Sequence, residues 1–506
     1  MQFHNKLQYK SKTAIPKGCF ISNAYQICTS KICIVILILI APVMMTQTSC
    51  KKLVEVTPPV TALTGENVYT NDATAAAVLT GIYTNMSVGA GFVTGANSIS
   101  MECGLSADEF TLYGGSSAQA NLILFYKNAL TNQQYLTFWE PCYGVLLQIN
   151  SAIEGLNTAT SLTPTVRQQL LGEAEFLRGF IYFYLVNLYG DVPLVLSSNY
   201  QTNTIIARTP KAQVYQQIIT DLKDAQRLLS PNYLDATIKS MTTERVRPTS
   251  WAATALLART YLYTDSLSNA KAQATAVINN SALYSLDTLN GVFLKNSTEA
   301  IWQLQPVIAT ENTQDGLTFV LQAGGPNAYN NPVYLSTFLL NSFEPGDERY
   351  RNWVGVDSST GTKYFYPFKY KSATIGAPVS EYLMVLRLAE QYLIRAESEA
   401  NLGDYTDAIN DLNIIRSRAG LPNYDATVQG PLLTAIIHER QVELFTEWGH
   451  RWLDLKRTGT ANRVMGTPGN GVCVAKGGTW NTAWQLYPIP LYDLQQDANL
   501  KQNAGY

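Results

Sequence analysis

The chain has 506 residues, 46% of them apolar and 15% charged, and so exceeds the ~250–300 residues at which one hydrophobic core stops growing. This composition describes a folded, sparsely charged protein and excludes a disordered one. Residues 1–49 hold five of the 36 basic residues and none of the 38 acidic ones, which leaves the remainder at net −7 and argues against nucleic acid or a polybasic membrane surface as partner.

A 14-residue apolar run, Ile32–Met45, follows a segment bearing Lys6, Lys10, Lys12, Lys17 and Lys31. It is too short to cross a hydrocarbon core of ~30 Å and has the length of a signal-peptide core. Thr48-Ser49 then precede Cys50, the pattern of a cysteine acylated after cleavage; an ordinary cleaved signal and a free cysteine are the alternatives. The expected organisation is a signal peptide over 1–49, lipidation at Cys50 and a lipid-anchored tether over 50–66. Beyond the leader Cys50, Cys103, Cys142 and Cys473 remain. They form no CxxC or Cys/His spacing, so thiolate metal binding has no support, and a Cys103–Cys142 disulfide stays an open pairing.

Helical signals follow. Ala75, Val78, Leu79, Ile82 and Met86 recur on one face from Asn71-Asp72 onward, the period of an amphipathic helix. Ser87–Gln119 turns rich in glycine and serine, with Phe92, Phe110 and Tyr113 scattered through it, and is expected to be loop. Trp139, Tyr143, Leu146, Ile149, Ile153 and Leu156 predict a second helix. Thr163-Pro164 and Thr209-Pro210 each open a helix with a capping residue and a proline at its first position. These elements constitute an N-terminal helical region, 67–282. Residues 283–379 lose the helical period, and short alternating runs (Ala300–Gln305, Tyr364–Tyr370) among Gly, Pro and Asn predict an insertion of small strands and loops.

The C-terminal region, 380–506, holds the most regular stretch, Tyr382–Pro422. Ala389, Leu393, Ala396 and Ala400 share one helix face; Gly403-Asp404 interrupts, with Asp404 expected to cap the next helix; Ala408, Leu412, Ile415 and Ala419 resume the period until Gly420 and Pro422. Ala396, Ala400 and Ala408 fall where two antiparallel helices pass closest, as a tetratricopeptide-type hairpin requires. Ala258–Ala270 lays over Ala396–Ala408 without a gap, and Val166–Tyr189 with Lys211–Leu229 forms a looser third pair. One hairpin cannot bury its apolar face alone. The predicted fold class is therefore mainly α, an α/α superhelix of tetratricopeptide-like helical pairs with a large irregular insertion of loops and short strands. Leu432–Lys456 is expected to be one long amphipathic helix.

Catalytic chemistry finds little footing. The densest charged cluster comprises Glu439, Arg440, Glu443, Glu447, His450, Arg451, Asp454, Lys456 and Arg457. Glu443 and Glu447, four apart on one helix face, would sit on the same side of a substrate, whereas glycoside hydrolysis needs carboxylates flanking the bond at ~5–9.5 Å. Interleaved arginines predict an ion-pair network instead. His438 opens HERQV, which lacks the second histidine of a zinc site, and no glycine-rich phosphate loop or cofactor motif is present. No metal, no cofactor and no enzymatic activity are expected. Sugar binding asks for something else: exposed rings against the CH face of a pyranose, with polar groups for its hydroxyls. Loop residues of that kind are Phe92 and Asn97, Tyr113, the run Asn327–Tyr334 with Tyr329, Asn330 and Tyr334, and Trp353; each ring can equally serve to pin its own loop.

Several blocks resemble one family in order along the chain: GFIYFYLVNLYGDVPLV (179–195), YLIRAESEANLGDYTDAINDLNIIRSRAGL (392–421), ERQVELFTEWGHRWLDLKRTG (439–459) and LYPIPLYDLQQDANLKQNAGY (486–506) are similar to those of the SusD/RagB family. Cys50-Lys-Lys-Leu-Val-Glu resembles the start of its mature chains, and Phe343 with Asp347-Glu-Arg349 its middle block; Gln502-Asn-Ala-Gly-Tyr506 departs from the usual Asn-Pro-Gly-Tyr ending. The resemblance implies a surface-exposed lipoprotein, lipid-anchored in the outer membrane, that binds a glycan or in some cases a peptide. It also implies a partner, a TonB-dependent transporter of the SusC type. A protein-interaction scaffold without its own small ligand is the remaining alternative.

Overall fold

The computed structural model describes residues 68–89, 91–133, 138–426 and 428–506; the leader, Cys50 and the tether lie outside them. Helix α1 (Asp72–Thr84) starts as expected, with the Asn71 side chain accepting the Thr74 N–H. The stretch after it departs from the loop expectation. It folds into helix α2 (Ile99–Ser106), every residue of which is buried, and strand β1 (Phe110–Leu112). A helix enclosed on all sides has no polar face and so no amphipathic period to read. Helices α3 (Ala120–Tyr126), α4 (Trp139–Thr158) and α5 (Pro164–Tyr189) follow. From Ala174 to Tyr189 only Glu175 of α5 escapes full burial; this apolar half is the axis on which the N-terminal half packs.

The helical pairs are present. Helix α6 (Lys211–Leu228) packs between α5 and α7 (Ser250–Tyr263); α7 pairs with α8 (Leu267–Ile278). In the C-terminal region α11 (Leu388–Leu402) lies against α8 and pairs with α12 (Tyr405–Arg418), which is followed by α13 (Gln429–Glu443); the short helices α9 (Gln314–Phe319) and α10 (Glu348–Trp353) lie in the stretch between α8 and α11. Ala396, Ala400 and Ala408 are fully buried and share one cluster with Leu412, Leu432 and Ile436, so the small residues stand where the helices converge. The two superposable turns match in backbone too: Gly403 ends α11 at φ +92°, and Asp265, its counterpart, takes φ +56°, a left-handed conformation that glycine adopts without strain. Asp404 does not cap α12; its carboxylate takes Lys271 of α8 at 2.7 Å. Buried ion pairs cross-brace the layers: Arg178 to Asp221 between α5 and α6 at 2.7 Å, Arg259 to Glu390 between α7 and α11 at 2.6 Å.

The stretch expected as one helix over 432–456 is two. Helix α13 stops at Glu443, and α14 (His450–Arg457) begins after a turn in which Thr446, Trp448 and Gly449 all have positive φ, +57°, +48° and +69°. Two non-glycine residues there, one β-branched, store strain. Contacts from far earlier in the chain hold them: Thr446 N–H donates to Glu109, Trp448 N–H to Ser100 and Trp448 Nε1–H to the Met384 carbonyl.

The insertion contributes β2 (Ala300–Leu304), helix α9 (Gln314–Phe319), β3 (Val333–Leu335), helix α10 (Glu348–Trp353), β4 (Val354–Asp357) and β5 (Tyr364–Pro367); β6 (Leu383–Arg387) leads into α11. Each strand has one antiparallel partner: β1 with β3, β2 with β6, β4 with β5. Trp302 of β2 sits in the core, as its alternating run predicts, among Phe176, Phe180 and Tyr83. Cys103, Cys142 and Cys473 are buried free thiols, so the Cys103–Cys142 disulfide does not form.

Candidate functional site

The charged cluster of the C-terminal region is structural. Arg387 Nη1 meets Glu299 at 2.9 Å and Glu443 at 2.6 Å, while its Nε meets Glu447 at 2.8 Å. Arg349 adds Glu443 at 3.0 Å and Asp347 at 2.8 Å, Arg418 reaches both Glu299 and Glu443, and Lys369 reaches Glu447 at 2.5 Å. Burial pushes the Glu443 carboxyl up, but Arg418, Arg387 and Arg349 outweigh it and hold the group well below the usual carboxylate range. Burial brings the Lys369 ammonium down to about 8 against the pull of Glu447. Among the described residues no group of His, Cys, Asp and Glu could hold a metal ion.

An aromatic face forms where β1, β3 and the β4–β5 hairpin meet. Residues alternate across a strand, so in β1 and β3 Phe110, Leu112, Val333 and Leu335 turn inward, while Thr111 and Tyr334, directly paired, turn outward. Tyr113 N–H donates to the Pro332 carbonyl at 2.8 Å, which extends the pairing by one residue. Tyr364 of β5 completes the group: its ring stands edge-to-face with Tyr334 at 5.1 Å between centroids and with Tyr113 at 5.9 Å. All three rings are half-buried, braced by one another and open on one side. Tyr366, next on the same face, lies so flat over β4 that a Cβ on Gly355 would fall 2.3 Å from its ring; only glycine fits beneath it. Burial, and the Tyr364 hydroxyl nearby, raise the Tyr334 hydroxyl's pKa despite the Thr111 hydroxyl beside it.

A polar rim adjoins it. Asn327 ties its own loop, accepting N–H bonds from Tyr329 at 3.0 Å and Asn330 at 2.7 Å, and Gln119 donates to the carbonyls of Ala328 and Tyr329. Buried Asn331 anchors the base of the loop, donating to Leu317 and Thr318 carbonyls at 2.9 Å each. Tyr329 at its tip is 76% exposed.

The sequence-predicted ring residues thus divide. Tyr113 and Tyr334 come together with Tyr364, and Tyr329 and Asn330 occupy the adjoining loop. Asn97 is exposed on a separate turn, Gly95–Asn97, pinned where the Gly95 N–H and Thr94 hydroxyl donate to Asp315. Phe92 and Trp353 depart from the expectation of exposed platforms, because both are sealed in the core. Trp353 donates Nε1–H to the Leu289 carbonyl at 2.7 Å and carries the Lys369 ammonium over its ring at 4.8 Å; its polar end and its face are both occupied. Tyr364 and Tyr366 escaped the sequence reading as site residues, although the alternation of Tyr364-Phe365-Tyr366 carries the signal.

Comparison with known proteins agrees with this architecture. A family described as "Starch-binding associating with outer membrane" matches residues 70–262, and the SusD family matches residues 322–506. SusD-like protein P2 of Formosa agariphila is 26% identical over 425 residues, 74% of this chain and 81% of that protein. Starch-binding protein SusD of Bacteroides thetaiotaomicron is 37% identical over a shorter 128 residues, 24% of this chain and 21% of its own length. Among solved structures, a SusD superfamily protein from Bacteroides vulgatus has TM-score 0.74 at 21% identity, covering 87% of this chain and all of its own (100%). A protein described as a laminarin-binding SusD-like protein has TM-score 0.71 at 23% identity, covering 87% and 100%. With matches in both halves of the sequence and the same fold throughout, the chain belongs to the SusD/RagB family.

Proposed function

We propose that the protein is a surface lipoprotein of the outer membrane, anchored through Cys50, that binds oligosaccharides on its tyrosine face and delivers them to a SusC-like TonB-dependent transporter. The observation that carries this reading is the half-buried ring cluster of Tyr113, Tyr334 and Tyr364 beside the amide-rich 327–331 loop. Mutually braced rings offer flat apolar surface at little entropic cost, and phenol and amide groups at their edges suit sugar hydroxyls. A starch-binding curated relative and a laminarin-binding solved one support the same ligand class. The glycan is bound without being cleaved, since the carboxylates of the charged cluster are enclosed and paired. Isothermal titration of the full chain against starch- and laminarin-derived oligosaccharides, alongside peptides, tests the proposal. Saturable oligosaccharide binding without released product is expected, and Tyr334→Ala or Tyr364→Ala should each weaken it by about 1–2 kcal/mol, roughly 5- to 30-fold. Failure of every oligosaccharide to bind, or indifference of affinity to both substitutions, overturns it.

A further inference from the structure

A second cavity of about 350 Å³ opens between α1, the 234–247 loop and the end of β2. None of these elements carries a residue of the tyrosine face. Its walls are largely apolar, formed by Tyr83, Leu234, Val246, Leu304 and Val307, and its size lies in the range of small-molecule sites. The charged groups on the wall are Asp235, Glu244 and Arg247. Arg247 is already neutralised: its Nη1 meets Glu173 at 2.7 Å, and its Nη2 donates to the Thr80 hydroxyl and the Ala236 carbonyl. Asp235 accepts from Thr237, Lys239 and Ser240 of its own loop. Among the described residues Glu244 has no ion pair: the Tyr382 hydroxyl interacts with its carboxylate, and Oε2 has no hydrogen-bond partner. Arg245, the adjacent cation, turns away to lie over the Tyr233 and Tyr284 rings and to donate to the Ala300 and Leu283 carbonyls.

An apolar hollow with a carboxylate on its wall that no described cation pairs is complementary to an aliphatic stem ending in a cation. We propose that this cavity binds an alkylammonium group, its methylenes against Leu234, Leu304 and Val307 and its ammonium at Glu244. Such a group reaches the protein either as a free alkylamine or as a lysine side chain on a peptide. The site is independent of the glycan reading and stands or falls separately from it.

The test is titration of the full chain at pH 7 and low ionic strength with n-pentylamine, with a blocked pentapeptide carrying one central lysine, and with the same peptide carrying norleucine. Saturable binding of the amine or of the lysine peptide is expected, and whichever binds more tightly identifies the source. Glu244→Gln should weaken that binding roughly ten- to hundredfold, the contribution of a charge-assisted hydrogen bond. Thr84→Phe, which adds a ring at an exposed wall residue without touching Glu244, should abolish it. Both variants should keep the parent's thermal transition, which reports that they fold. Absence of binding by both cations, equal binding of the norleucine peptide, or an affinity unchanged in Glu244→Gln overturns the proposal, as does a crystal soaked with pentylamine that holds only water at Glu244.

Discussion

Replacing Glu443 with glutamine keeps the shape of the side chain and one acceptor but removes the negative charge on which three arginines converge. Arg349 at 3.0 Å, Arg387 at 2.6 Å and Arg418 all meet this fully buried carboxylate. Breaking a buried pair by removing one partner costs about 3–5 kcal/mol; the retained amide oxygen places Glu443→Gln near the lower end, about 3 kcal/mol. Net stabilities are about 5–15 kcal/mol, so the loss is a large fraction of the whole. The effect also has a pH signature. Burial raises the Glu443 pKa and the three arginines lower it further, to well below 4.5. A carboxyl depressed in the folded state contributes stability that is present above its unfolded pKa and is lost as pH falls through the folded one. The gap between parent and variant should therefore be full at pH 7 and narrow progressively below about 4.5. Urea denaturation of both proteins from pH 8 down to pH 3 reads it directly. A gap under about 1 kcal/mol at pH 7, or one that does not close on acidification, refutes the assignment of Glu443 as the hub of the network.

The same assay addresses Glu109, whose carboxyl burial pushes up to about 8 even though it accepts the Thr446 N–H. Its folded pKa lies above the unfolded value, so its contribution falls as pH rises between about 4.5 and 8, by up to ~1.4 kcal/mol per pH unit; Glu109→Gln should gain on the parent through that window, and a flat difference between pH 5 and 9 would count against it. Ala408→Leu places a larger side chain where α11 and α12 converge and should lower stability by about 1–3 kcal/mol, seen as an earlier thermal transition; an unchanged transition would mean that the pair is not closely packed there. Cys50→Ala should release the processed protein from membranes without detergent, and continued membrane association would refute lipidation.

The helical pairs were legible because small residues at fixed spacing leave a physical trace: Ala396, Ala400 and Ala408 are fully buried in one cluster between the helices. Other features left no such trace. Helix α2 hides in a glycine- and serine-rich stretch because its whole circumference is buried, and periodicity reports only helices with one wet side. The break between α13 and α14 is invisible because Thr446 and Trp448 hold left-handed backbone through hydrogen bonds to Glu109 and Ser100 rather than by their own preference. Ring residues read alike whether exposed or sealed, so Phe92 and Trp353 looked like platforms. Tyr364 acquires its role only from strand pairing that sets it against Tyr113 and Tyr334.

The strained turn over 446–449 has a consequence for how the chain is made. Its two clasps come from Ser100 and Glu109, more than three hundred positions earlier (separations of 348 and 337 residues). A ribosome delivers those early partners long before the residues they must grip, and contacts of such span are slow to close. Ser100 and Glu109 therefore wait without these partners until residues 446–449 emerge. A fragment lacking 98–109 keeps only the Met384 contact to Trp448 and loses both backbone clasps of the turn.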